Sequence, residues 1–229
     1  MADFLADMSD HKYRIYGAEL SPYSVKVRSY FRFKQIPHQW IIRSAATMDE
    51  FAKFAKLPII PLLVTPQLEG AQDSTLVIEQ LEALHPKDSI YPEDTTVNFV
   101  STLLEEFGDE WANKWMFHCR WARDIDQIAS AGRIAQLTQP DASSEQLEEL
   151  TEQVRQRMVG RVGFVGSNPE TAPQIEASLH LALEQLEIHL ESRPYLLGGR
   201  PSFGDFSLWG QLYNVWTDPT NCALIEAKM

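Results

Sequence analysis

Three short stretches of the chain carry residue types that could hold or activate an anion. The first is Ser21-Pro22-Tyr23-Ser24, which follows a β-favouring run and opens an apolar-sided segment. Serine caps a helix N-terminus by accepting from the amides of the first turn. Proline suits the first helical position, because its missing N–H would have no partner there. Such an opening gathers unpaired N–H groups and the positive end of the helix dipole. An anion is stabilised over it, and a thiolate is a favourable guest. The Ser21 hydroxyl can donate one more hydrogen bond to that sulfur; taken alone, Ser21 reads first as a plain cap.

The second stretch is Ile60-Pro61, just before the apolar run Leu62-Leu63-Val64. A proline at the mouth of a strand marks either an ordinary trans strand start or a cis bond. In the cis case the Ile60 backbone is open to pair with an extended peptide. The third is Asp73-Ser74, at another helix start. Its amides and hydroxyl can hold a carboxylate and Asp73 an ammonium group, or the pair can act as a simple cap.

The elements that must position these residues follow from local patterning. Residues 13–17 alternate and predict a first strand. A helix runs from the Ser21 cap to about Lys34, with Val25, Val27, Tyr30, Phe31 and Phe33 on its apolar side. Residues 39–42 predict a second strand, so strand, helix and strand form a βαβ unit with parallel strands. A short helix over 48–55 and a buried strand over 62–64 come next. Glu69-Gly70 reads as a turn, and residues 74–84 as an amphipathic helix.

The stretch 85–94 holds two prolines and several charges and predicts a linker. No strand is expected beyond it. Residues 95–123 read as one long helix, with further helices over 143–160, 173–191 and from Pro201-Ser202 to about Val215. Mixed α/β followed by helices means two domains: an α/β module over 1–84 and an all-α domain over 95–229.

Composition narrows the function classes. Apolar residues make up 44% and charged residues 23% of the 229 residues, an ordinary globular balance with enough length to bury a core. The net charge of −12 repels nucleic acid and anionic membrane surfaces, so neither is expected as a partner. Cys119 and Cys222 form no CxxC and no zinc-ligand spacing, so no metal is expected. Free thiols, no basic-then-apolar leader and no apolar run of about 18 residues predict a cytoplasmic protein.

Singly the three stretches are weak; in this order and spacing they resemble the cytosolic glutathione S-transferases. Ser21 to Arg28 resembles the family's first-helix motif, and Ile60-Pro61-Leu62-Leu63 its cis-proline strand. Asp73-Ser74 is similar to its acidic residue and serine. Ser202-Phe203-Gly204-Asp205, a capping box, resembles the folding motif of its helical domain. The resemblance covers about residues 13–216. It implies a thioredoxin-like first domain, Ser21 as the activating hydroxyl, and Ile60 beside a cis Pro61 pairing with the cysteinyl part of glutathione. Asp73 and Ser74 would hold the γ-glutamyl end.

A second pocket would receive a small hydrophobic electrophile, with Tyr23, Trp111 and Trp115 as its wall. His118 reads as structural rather than as a base. Glutathione is then a co-substrate, no other cofactor is implied, and a homodimer is expected. A non-catalytic glutathione-binding or interaction protein and a glutathione-dependent peroxidase are the alternatives on the same scaffold. The chain departs from the family in two places. It ends soon after the Ser202 helix, where the family adds helices that close the second pocket, and the 140–172 region, with its Gly-Phe-Val-Gly-Ser-Asn-Pro stretch, matches no family pattern.

Overall fold

The first strand, β1 (Tyr13–Gly17), carries Ile15 and Tyr16 into the core, and both are almost fully buried. Ser21 then caps α1 (Pro22–Phe33) with extended backbone and Pro22 in the first turn. Val25, Val27, Tyr30 and Phe31 bury its apolar side. β2 (His38–Ile42) returns parallel to β1, as the βαβ spacing predicts. After α2 (Met48–Phe54) come β3 (Leu62–Val64), β4 (Gly70–Gln72) and α3 (Ser74–Leu84). The sheet has four strands in the order β2-β1-β3-β4, with β3 antiparallel to both β1 and β4. β4 was expected only as a turn. Its three residues are too few to show alternation, and only pairing with β3 makes them a strand. The structure, a computed structural model, describes residues 12–226.

A buried polar knot ties α1 to α3. Lys34 Nζ lies 2.6 Å from Glu82 Oε1, and the Tyr30 hydroxyl donates to the same oxygen at 2.7 Å. Both ionic side chains are under 5% exposed, so each charge has a partner where water is excluded.

The chain divides into two compact units between Ser89 and Ile90, inside the stretch expected as a linker. The regular elements described in the second unit are all helices, joined by loops and turns, apart from one isolated bridge between Tyr195 and Gly198. The helix expected over 95–123 runs without a break from Thr95 to Ala122, but it is not uniformly α. It is α4 (Thr95–Glu106), a π-helical turn over Phe107–Ala112, and α5 (Asn113–Ala122). The cause lies at Gly108: a Cβ there would stand 2.2 Å from the Ser207 hydroxyl oxygen, so backbone meets a neighbouring helix directly. Ser207 Oγ lies 2.8 Å from the Glu105 carbonyl and 2.6 Å from the Asp109 carboxylate, filling the widened turn.

There follow α6 (Asp124–Thr138), α7 (Ser144–Val159), α8 (Ala172–Leu190), α9 (Phe203–Trp216) and α10 (Pro219–Glu226). The sequence signals left α6 and α10 unassigned. At the start of α9 the capping box is complete: Asp205 accepts from the Ser202 N–H at 2.8 Å and also from the Leu196 N–H at 2.9 Å. Among the described residues no helix is long and apolar enough to cross a membrane.

α9 packs on α4 through Gly204, where a Cβ would fall 2.6 Å from that of Leu104 and 3.1 Å from the Ser101 carbonyl. Gly204→Ala is expected to cost about 1–3 kcal/mol through overpacking. That corresponds to roughly 2–4 °C per kcal/mol in the melting temperature of a chain this size. An unchanged melt would show that the two helices separate freely.

Candidate functional site

Register brings the three sequence motifs to one end of the first unit's sheet. Tyr16 of β1 pairs with Leu62 of β3, and Leu62 pairs with Gln72 of β4. β1 leaves the sheet there towards Ser21, β3 enters there from Ile60-Pro61, and β4 leaves there into Asp73-Ser74. Adjacent strands lie about 4.8 Å apart, so the three motifs emerge from neighbouring positions. Nothing in the linear order of 21, 60 and 73 states this.

At the α1 opening, Ser21 is half-buried and its Oγ accepts twice, from the Ser24 N–H at 3.3 Å and the Ser24 hydroxyl at 3.0 Å. Both contacts use the oxygen as acceptor, so the Ser21 hydroxyl hydrogen remains to be donated. No acceptor among the described residues takes it. An anion over this opening would meet that hydrogen and the positive end of the α1 dipole. Tyr23 is half-buried beside it.

The Ile60–Pro61 bond is cis. Among the described residues nothing pairs with the N–H or C=O of Ile60, so its backbone can serve an extended ligand as a strand edge would. Asp73 adopts φ 79°, ψ 114°, a region that non-glycine residues rarely occupy, while its carboxylate caps α3 through Thr75 N at 3.0 Å and Leu76 N at 3.3 Å. Such strain persists where the surroundings over-determine it, often beside a ligand. Ser74 is buried at the first position of the helix.

Two residues that motif reading passed over hold these parts in place. The Gln72 side chain accepts from Lys56 N and Leu57 N, both at 2.9 Å, and donates to the carbonyls of Leu57 and Ile59, both at 2.8 Å. One amide thus holds the loop that leads into Ile60. Lys26, 1% exposed, donates to Thr75 Oγ1 at 3.0 Å, joining α1 to the start of α3. Neither has a sequence signal beyond its neighbourhood: a lone Gln at a strand end and a Lys on an apolar face look unremarkable.

In the second unit one expectation is corrected. Trp115 is 1% exposed and packs in a core with Ile175, Leu179 and Val215, its Nε1 donating to Ser178 Oγ at 2.7 Å. It is core because α5 lays that face against α8, so the ring does not wall an open pocket. Trp111 is half-buried and packs against the same cluster. Neither lines the cavity of about 400 Å³ that Cys119, Arg123, Glu176, His180 and Asn221 help to bound.

His118 is held between Ser167 Oγ at 2.7 Å and Glu176 Oε1 at 3.2 Å, as a structural histidine would be. Burial works to raise the Glu176 carboxyl, but His118 and Arg123 outweigh it and hold it below the usual range. Burial pushes the Cys119 thiol up to about 11, so it is no nucleophile at neutral pH. Among the described residues no group of His, Cys, Asp and Glu could hold a metal ion.

A small sheet with the β2-β1-β3-β4 order and a cis-proline strand, followed by a helical unit, defines a thioredoxin-like domain joined to an all-helical one. The family models agree: that of the glutathione S-transferase N-terminal domain matches residues 15–89, and that of the C-terminal domain residues 145–220. The chain belongs to the glutathione S-transferase family. By sequence alone no curated relative matches it.

Among solved structures it is similar to the β-etherase LigF from Sphingobium sp. strain SYK-6, at TM-score 0.64 and 19% identity over 91% of this chain and 85% of that one. It is also similar to a glutathione S-transferase from Rhodospirillum rubrum F11, at TM-score 0.57 and 17% identity over 94% and 88%. A third is a glutathione S-transferase from Methylobacillus flagellatus KT solved with glutathione bound, at 0.50 and 17% over 95% and 86%. At these identities the likeness is one of fold.

Proposed function

We propose that the protein is a glutathione S-transferase that binds glutathione at the end of its sheet and turns the thiolate on a hydrophobic electrophile, a detoxifying conjugation. The observation that supports this best is the convergence of Ser21, Ile60-Pro61 and Asp73-Ser74 on one sheet end. In this reading the Ser21 hydroxyl and the positive end of the α1 dipole stabilise the thiolate. The Ile60 backbone pairs with the cysteinyl residue. Asp73 takes the γ-glutamyl ammonium, and Ser74 takes its carboxylate. Tyr23 offers the electrophile an aromatic surface. The thiol proton passes to solvent, the sulfur lone pair forms the S–C bond, and the leaving group departs with its bonding electrons. Glutathione is consumed as a co-substrate.

A homodimer in the cytoplasm completes the proposal. α4 exposes Phe99 and Leu103, and the π-helical turn after it exposes Phe107, at 66%, 56% and 39%; their i, i+4, i+8 spacing makes an apolar stripe that suits a partner surface. Cys119 and Cys222 are both free, which suits a reducing compartment.

The test is retention on immobilised glutathione together with conjugation of chlorodinitrobenzene, with an aryl ether as a second electrophile. Retention and turnover are expected. Retention without turnover on either electrophile would make the chain a glutathione-binding protein. Failure of both would remove glutathione from its function.

A further inference from the structure

The loop that presents Ser21 is short, and its neighbours hold it from three sides. Glu19, in its middle, receives both Nη1 and Nη2 of Arg28 in a bidentate pair, the second at 2.7 Å. Arg28 sits in the body of α1 with its side chain 8% exposed, against 34% for Glu19. The Arg28 guanidinium lies over the Trp40 ring, 4.4 Å from its centroid. Trp40 is central in β2, opposite Ile15 of β1. The same ring closes on the start of the loop: a Cβ on Gly17 would fall 2.6 Å from Trp40 and 2.9 Å from Ser24 Cβ. Ser24 in turn supplies both hydrogen bonds that orient the Ser21 oxygen.

We propose that Glu19, Arg28 and Trp40 are positioning residues that fix the β1–α1 loop, and through Ser24 the Ser21 hydroxyl, at the place where the glutathione sulfur must lie. The proposal rests on the reading of Ser21 given above. A planar guanidinium that is both forked onto a carboxylate and stacked on an indole has one orientation. A lysine in its place keeps the charge and loses the fork and the stack. A hydrogen bond to a developing anion is useful only when its donor is held within about half an ångström of the right place. Gly17 belongs to the same device, since only a residue without Cβ lets β1 end so close to Trp40.

The experiment titrates the thiol of bound glutathione, read as thiolate absorbance, in the wild type, Arg28→Lys and Glu19→Gln. In parallel, calorimetry measures the affinity of each for S-methylglutathione, which has no thiol to ionise. In both variants the bound thiol is expected to titrate about one pH unit higher, a roughly tenfold loss of thiolate at neutral pH. Affinity for S-methylglutathione should change by less than about threefold, well under 1 kcal/mol.

The sign for Glu19→Gln is diagnostic. Removing a nearby negative charge would by field alone favour the thiolate and lower the titration point, whereas loss of positioning raises it. A purely structural clamp would lower the melting temperature and leave the titration unmoved, and identical titrations in all three proteins would overturn the proposal. Glu19→Gln alters the more exposed end of the pair and keeps the test open if Arg28→Lys folds poorly. If the wild type binds no glutathione, the functional reading itself fails and takes the sulfur-placing role with it. Hydrogen exchange of the loop amides then tests the clamp alone, and equal protection in wild type and Arg28→Lys would overturn it.

Discussion

Ser21→Ala is expected to lower glutathione conjugation at neutral pH by roughly tenfold to a hundredfold, and to recover most of that loss at alkaline pH. A hydrogen bond to a charged acceptor is worth about 1.5–3 kcal/mol, which is about one to two pH units of thiol acidity. Without the hydroxyl the bound thiol titrates higher, so less thiolate is present at neutral pH. Above the raised titration point both proteins hold thiolate, and their rates converge. Ser24 bears on the size of the effect. In the wild type its hydroxyl donates to Ser21 Oγ at 3.0 Å. With alanine at 21 that hydrogen loses its acceptor and can turn to the sulfur, so the double variant Ser21→Ala with Ser24→Ala should fall below the single one. Alanine also removes the cap of α1, at a cost of about 1 kcal/mol, and a melting curve separates that loss from the kinetic effect. Equal pH–rate profiles in wild type and Ser21→Ala would remove Ser21 from its proposed role.

The second large effect concerns stability. Asp218 is 0% exposed and receives Arg120 Nε at 2.9 Å and the Ser130 hydroxyl at 2.8 Å. Arg120 Nη2 also donates to the Asn214 carbonyl and to Asn214 Oδ1, both at 3.0 Å. Burial pushes the Asp218 carboxyl up, against Arg120 and Ser130, which favour its charge; burial likewise pulls the Arg120 guanidinium down. Each side chain is the other's partner where water is excluded. Asp218→Ala leaves a guanidinium buried without its counter-charge and is expected to cost about 3–5 kcal/mol, lowering the melting temperature by roughly 10 °C at 2–4 °C per kcal/mol. The double variant Arg120→Met with Asp218→Leu should recover most of the loss, because a well-packed apolar pair avoids desolvating two charges. A small effect of Asp218→Ala alone would mean that water reaches Arg120 once the carboxylate is gone. The cluster joins α5, α6, α9 and α10, so hydrogen exchange in all four should rise together.

Amino-acid order alone determined whatever rests on neighbours within one turn or one strand. The Ser21 cap with Pro22 behind it, the Ser202–Asp205 box, the alternation at 13–17 and the 77, 78, 81, 84 spacing of α3 are such signals, and each element stands where they put it. The three candidate motifs were legible for the same reason: a hydroxyl at a helix start, a proline before a strand and an acid before a serine are local patterns.

Contacts between distant parts of the chain decided the rest. β4 exists because β3 pairs with it. The π-helical turn exists because Gly108 meets Ser207, nearly a hundred residues on, and Trp115 is core because α8 covers it. Gln72 reaching to residues 56–59, Arg28 between Glu19 and Trp40, and Arg120 with Asp218 are partners that no local period can announce. Helix and strand periods report which side of an element is apolar; what that side meets is settled only when the sheet register and the helix crossings bring separate segments together.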